Sequence, residues 1–140
     1  MDRPLQEFVW RRANANCEYC HVPQSCDALA FEIDHIIGLQ HLGSTSDDNL
    51  ALACYACNHH KGPNIAGFDV VTEQIVALFH PRRDNWSEHF RWSGPTLEGL
   101  TPAGRVTVHV LSINRDVRVA LRRALILEGV LRVDNTGTEP

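Results

Sequence analysis

Cys17-Glu18-Tyr19-Cys20, then Glu32-Ile33-Asp34-His35-Ile36-Ile37, then Asp48-Asn49-Leu50, then Cys54-Tyr55-Ala56-Cys57-Asn58-His59-His60-Lys61-Gly62: the reading of the fold turns on these four stretches. Two residues between cysteines let both sulfurs reach one ion. Two such pairs therefore close a single tetrahedral thiolate site, and its expected occupant is one structural zinc held by Cys17, Cys20, Cys54 and Cys57. Redox-active or coincidental Cys-x-x-Cys pairs are the plain alternative, against which four thiols so spaced favour a metal. Closing the site pins the intervening chain as a loop. In and just after that loop stand a carboxylate, an imidazole, two carboxamides and an ammonium, the side chains of hydrolytic chemistry.

Composition bounds this reading without deciding it. A chain of 140 residues suits one domain with a modest core, and we expect a single domain over 1–140. A hydrophobic share of 44% and a charged share of 21% are ordinary for a globular protein. No apolar run approaches the roughly 20 residues that cross a bilayer, so no membrane partner is expected. Met1-Asp2-Arg3-Pro4 starts no signal peptide, which leads us to expect a cytoplasmic protein. Thiols there stay reduced, favouring metal ligation over disulfides. Five cysteines leave Cys26 over, as a packed or exposed free thiol. A net charge of -4 argues against a protein that coats nucleic acid generically, although bound cations and local basic patches offset the sum.

Along the chain, Pro4 to Ala13 reads as a short helix with Leu5, Phe8 and Val9 on its apolar side and Pro4 near its start. Ala30 to Ile37 suits a half-buried strand around Asp34. Gly38, Gly43 and Ser44 to Asp48 mark a hairpin or long loop. A helix should begin around Cys54 to Cys57 and stop at Gly62-Pro63. Further on, Thr72 to His80 and His89 to Trp92 look like strands. Thr101-Pro102 should open a helix towards Asn114, although Val106, Val108 and Val110 also fit a strand. Asp116 to Glu128 is the clearest helix, apolar at Val117, Val119, Leu121, Leu125 and Ile126, with Arg118, Arg122 and Arg123 read as a solvated face and Gly129 as its cap. The polar tail 134–140 is expected to be disordered.

Taken together, Glu-Ile-Asp-His-Ile-Ile, Asp-Asn-Leu and Cys-x-x-Cys-Asn-x-x-Lys-Gly resemble the HNH endonuclease family. The match in type, order and spacing runs from about Cys17 to Gly62. The remainder, including Lys61 to Gly67 and Leu78 to Arg83, resembles the extension of small bacterial HNH proteins. The resemblance implies an α+β fold with a ββα-metal (His-Me finger) core at about 17–62, carrying a zinc-bound double knuckle. A C-terminal α/β extension would cover about 63–133. It implies an endonuclease that hydrolyses DNA to 5′-phosphate and 3′-hydroxyl ends.

Phosphodiester hydrolysis needs an activated water, a cation on the scissile phosphate and relief of charge on the leaving oxygen. On the matching positions His35 would be the general base, since imidazole can take a proton near neutral pH. Asp34 and Asn58 would hold a divalent cation, magnesium or manganese given their oxygen donors. Neighbours on a strand face opposite sides, so Asp34 and His35 can both serve only where the strand bends or ends. Asn49 would brace the hairpin and orient His35. Lys61, three residues beyond Asn58, would contact phosphate.

Many family members carry histidine at the last motif position, where this chain has Asn58 beside His59. Neighbours on a helix diverge by roughly 100°, so one of the two ligates, and Asn58 is preferred. Arg82 and Arg83, with Trp86, Arg91 and Trp92, offer a DNA-contacting patch, against the plainer reading of a solvated turn and core tryptophans. His80 and His89 read more simply as packing or surface histidines than as a further metal site. The runner-up to the enzyme is a non-catalytic zinc-knuckle module that binds nucleic acid or protein. Such a module has no need of Asp34, His35, Asn49 and Asn58 together.

Overall fold

The computed structural model describes residues 1–133; the disorder expected of the tail 134–140 lies outside the described residues. In chain order the elements are α1 (Arg3–Arg12), β1 (Glu32–His35), β2 (Leu50–Ala53), α2 (Tyr55–Lys61), β3 (Ala66–Asp69), β4 (Gln74–Ala77), α3 (Trp86–His89), β5 (Phe90–Ser93), β6 (Thr96–Gly99), α4 (Pro102–Val110) and α5 (Asp116–Leu127). The strands pair as three antiparallel ribbons, β1–β2, β3–β4 and β5–β6. This is the expected α+β class. The described residues divide into two compact units, one of residues 1–65 with 80–84, the other of 66–79 with 85–133.

The first unit is built around the β1–β2–α2 succession. Asp2 caps α1 by accepting the Leu5 N–H at 2.9 Å, Pro4 sits in its first turn, and Val9 is buried. In the last turn of α1, the Arg12 guanidinium donates to the carbonyls of Asp47 and Leu50 at 2.7 Å each, holding the helix to the chain that enters β2. In the ribbon, Asp34 sits opposite Ala51 and His35 opposite Leu50. All four β2 side chains are buried, so this strand is the floor of the unit. The Cys54 thiol accepts the Cys57 N–H at the start of α2, and Gly62 ends the helix at φ 51°, a conformation that favours glycine.

In the second unit, β3–β4 packs on α4. A Cβ on Gly67 would lie 3.0 Å from Val110 and 3.1 Å from Val106, so the small residue lets ribbon and helix approach. The valines of 106–110 are helical: Thr101 accepts the Gly104 N–H at 3.0 Å, and Pro102 follows with its φ preset for the first turn. A cap of this kind is worth ~1 kcal/mol, enough to decide between two periodicities that the valines alone leave open. Asp69 takes a two-pronged bond from Arg105 (2.9 and 3.0 Å) and two more donors from Thr72. These hold its carboxyl well below the ordinary carboxylate range, Arg105 first and Thr72 second.

One expectation for α5 needs correcting. Arg122 is not on a solvated face: it is fully buried, whereas Val117 on the same helix is 60% exposed. Arg122 shares its helix face with buried Leu125, three residues on. Its guanidinium donates to the carbonyls of Pro95 and Ile113 and to Asn114 Oδ1, and lies over the Trp92 ring. A planar, delocalised cation meets fixed acceptors this way at less cost than a lysine would.

Candidate functional site

The four cysteines predicted as zinc ligands converge. Cys17, Cys20, Cys54 and Cys57 are all buried, with their sulfurs within 4.8 Å of one another. Cys20 Sγ and Cys54 Sγ are 3.8 Å apart, the edge length of a tetrahedron with metal–sulfur bonds of about 2.3 Å. Each knuckle turns back on its first sulfur: the Cys20 N–H points to Cys17 Sγ at 3.4 Å and the Cys57 N–H to Cys54 Sγ at 3.3 Å. Burial pushes the Cys17 thiol well up, and the surrounding sulfurs push Cys57 up. Four crowded, desolvated thiols are a poor arrangement on their own and a good one around a divalent cation that neutralises thiolates. The donor set and spacing fit zinc. Cys26 lies outside the cluster, a half-buried free thiol.

Asp34 sits between the two knuckles. It is 5% exposed, and each carboxylate oxygen accepts one donor: Oδ2 from the Tyr19 hydroxyl at 2.7 Å, Oδ1 from the Lys61 ammonium at 3.1 Å. Tyr19 belongs to the first Cys-x-x-Cys, and Lys61 lies four residues beyond the second. Burial raises the Asp34 carboxyl above its ordinary value, while Lys61 and Tyr19 oppose the rise by stabilising the carboxylate. Tyr19 is pushed well up by burial and by the Asp34 charge, which keeps it a neutral donor.

His35 is the last residue of β1, so the strand ends where the sequence required a bend or an end. Asp34 turns inward and His35 lies half-buried, its Nε2 at 2.9 Å from Thr45 Oγ1. Asn49, 7% exposed, closes the intervening loop with one carboxamide. Its Oδ1 accepts the Ile37 N–H at 2.9 Å, and its Nδ2 donates to the carbonyls of Ile37 (2.9 Å) and Ser44 (2.8 Å). Gly43 is required under that bridge, because a Cβ there would collide with the Ile37 carbonyl.

The other predicted site residues differ in exposure. Asn58 is half-buried on α2, three residues before Lys61 and hence on a similar helix face. His59 is exposed, its ring stacked on Tyr55 at 5.5 Å. The structure turns Lys61 away from solvent, contrary to its expected phosphate contact: it is 1% exposed and also donates to the His35 carbonyl at 3.2 Å. A buried ammonium is stable only beside acceptors, and Asp34 supplies the charge. Arg82 is likewise turned inward, pairing with Glu18, whose other oxygen accepts the Leu52 N–H at 2.8 Å. Burial and then the neighbouring Arg12 charge bring Arg82 down to about 10. Arg83 stays exposed.

In the second unit Arg91 faces solvent beside Glu98, and Trp92 is buried under Arg122. His80 closes a local turn with Asp84 and Arg82, and His89 bonds Thr101 at 2.6 Å. Among the described residues neither joins a metal-ligating cluster. Sequence reasoning missed Tyr19, Thr45, Glu18 and Arg12. Tyr19 had a partial signal, a hydroxyl inside a knuckle that Tyr55 of the second knuckle shares; the others had none.

With this geometry in place, residues 17–64 match the family model described as HNH endonuclease. That segment is about a third of the 140 residues, and its β1–β2–α2 succession with four cysteines agrees with a ββα-metal core. The domain suggests a nuclease-type function. No curated protein and no solved structure matches the chain. No helix among the described residues is long and apolar enough to cross a membrane.

Proposed function

We propose that the protein is a divalent-metal-dependent endonuclease that hydrolyses DNA through a water activated by His35. The observation that carries this reading is that one short ribbon brings a half-buried imidazole to its end beside a buried carboxylate, with the Asn49 carboxamide closing the loop between its strands. A binding module gains nothing from that expensive arrangement of buried polar groups.

Asp34 and Asn58 would hold the catalytic cation. Each Asp34 oxygen accepts one protein donor and keeps a further lone pair. Such a cation, magnesium or manganese by its oxygen donors, supplies charge neutralisation at the scissile phosphate. The protein's own groups do the rest. His35 takes the proton from the attacking water, which adds to phosphorus as the bond to the 3′ oxygen breaks; that oxygen takes a proton from solvent, leaving 5′-phosphate and 3′-hydroxyl ends. Lys61 stays inside, neutralising part of the Asp34 charge, so that the ion is held weakly until phosphate arrives. Arg83, as the exposed cation of the predicted set, contacts the DNA backbone. A zinc held by Cys17, Cys20, Cys54 and Cys57 would fix both knuckles and take no part in the chemistry.

Plasmid incubation with and without magnesium or manganese, comparing the wild type with His35→Ala, tests the proposal. Metal-dependent nicking or linearisation by the wild type is expected, with a loss of roughly 10²–10⁴-fold in the variant and DNA binding retained. Absence of cleavage on DNA and RNA with any divalent ion would favour the non-catalytic zinc-knuckle module. Equal loss of binding and cleavage would make His35 structural.

A further inference from the structure

The strand that carries His35 ends there, so the ribbon does not fix the imidazole ring; its placement depends on what touches it. The contact comes from the loop between β1 and β2, where Thr45 Oγ1 lies 2.9 Å from His35 Nε2. That hydroxyl is held by a braced segment. Ser44 and Ser46, on either side of Thr45, bond to each other at 2.6 Å, and Ser46 donates to Asp48 Oδ1 at 2.6 Å. Asn49 Nδ2 ties down the Ser44 carbonyl, and Arg12 holds the Asp47 carbonyl. With its two neighbours bonded to each other, Thr45 is left to point the other way, and its β-branch restricts χ1.

A neutral imidazole has one N–H and one lone pair, and the partner of one nitrogen decides the role of the other. We propose that Thr45 is a positioning residue for the reaction. It accepts the His35 Nε2–H, fixes the ring against rotation, and leaves the Nδ1 lone pair as the base that meets water. The hydroxyl's own proton is free to go to solvent, as Thr45 is exposed. The Asn49 carboxamide then reaches the base through Thr45, since it anchors the residue before it. This rests on the reading of His35 as general base; the tautomer it assigns does not.

Two measurements on zinc-loaded full-length protein test the assignment. Long-range ¹H–¹⁵N spectra of the histidine rings should show neutral His35 protonated at Nε2 and bare at Nδ1. In Thr45→Val that preference should weaken, with zinc content and melting temperature unchanged, and Thr45→Ser should restore it. In plasmid cleavage, Thr45→Val should lower kcat roughly 10-fold or more at unchanged KM, and Thr45→Ser should recover to within about 3-fold. A wild-type ring protonated at Nδ1, or a valine variant with unaltered tautomer and kcat, would overturn the proposal. So would a raised KM with unchanged kcat, which would make Thr45 a substrate contact. If the wild type cleaves nothing, the nuclease reading fails, and the ring spectra alone still decide the Thr45 assignment.

Discussion

Tyr19 and Asp34 meet in the interior of the first unit, the tyrosine hydroxyl donating to Oδ2 of the carboxylate at 2.7 Å with both residues buried. The donor stands between two zinc-ligand cysteines and the acceptor next to the proposed base. The knuckle and the site are therefore parts of one hydrogen-bonded structure. Through Lys61, the second knuckle sends a donor to the same carboxylate.

Tyr19→Phe removes this one bond without changing shape. It leaves Oδ2 buried with no hydroxyl donor, and we expect a loss of about 1–3 kcal/mol in unfolding free energy, measured by denaturant titration. Zinc content should stay at the wild-type value. Unchanged stability would mean that the carboxylate has found another partner.

Metal analysis of purified protein should find about one zinc per chain, dependent on Cys17, Cys20, Cys54 and Cys57. Stripping the ion should unfold the first unit, because metal binding at such a site is coupled to folding. Cys26→Ser should leave zinc content and melting temperature alone. Zinc-free protein of undiminished stability would refute the site.

Asn58→Ala should give folded, zinc-loaded protein that no longer cleaves, and so should Asp34→Asn, which keeps an acceptor beside Lys61 where alanine would strand that buried ammonium. His59→Ala should keep substantial activity because its ring lies on the exposed side of α2 beside Tyr55. A dead His59→Ala with an active Asn58→Ala would move the ligand by one residue and leave the nuclease reading in place.

Asp69 sets an acid response in the second unit. Its carboxyl is depressed in the folded state by Arg105 and Thr72. A depressed carboxylate contributes stability that is present above the unfolded value of about 4 and is lost as pH falls towards the folded one. Arg105→Met should therefore lower the melting temperature at pH 7, and the gap to wild type should narrow on titration below about pH 4. A gap independent of pH would assign the loss to packing of the arginine stem instead.

What the sequence made legible follows a physical rule. Spacing that encodes a single ion, as in the two Cys-x-x-Cys pairs, survives any detail of packing. Caps are local too, so Thr101-Pro102 and Gly62-Pro63 marked helix ends where the structure has them. Side-chain direction was harder. Asn58 and Lys61 share a helix face by spacing, but spacing does not say whether that face meets solvent or Asp34. Arg122 looked polar because its acceptors lie far along the chain, at Pro95, Ile113 and Asn114. The strands β3 (Ala66-Gly67-Phe68-Asp69) and β6 (Thr96-Leu97-Glu98-Gly99) are four residues each, too short to show a period. Thr45 carried no signal, because its contact exists only once the loop has closed.

The pairing of Glu18 with Arg82 has a consequence for biosynthesis. The two residues are 64 positions apart, and the hairpin β3–β4 is spelled out between them. During translation both knuckles leave the ribosome well before the arginine that neutralises Glu18. The nascent first unit thus carries an uncompensated carboxylate beside its metal site for as long as it takes to synthesise an element that belongs to the other unit. A gene cut after codon 65 would make that interim state permanent, so a fragment meant to keep the Glu18–Arg82 pair has to extend through Arg82.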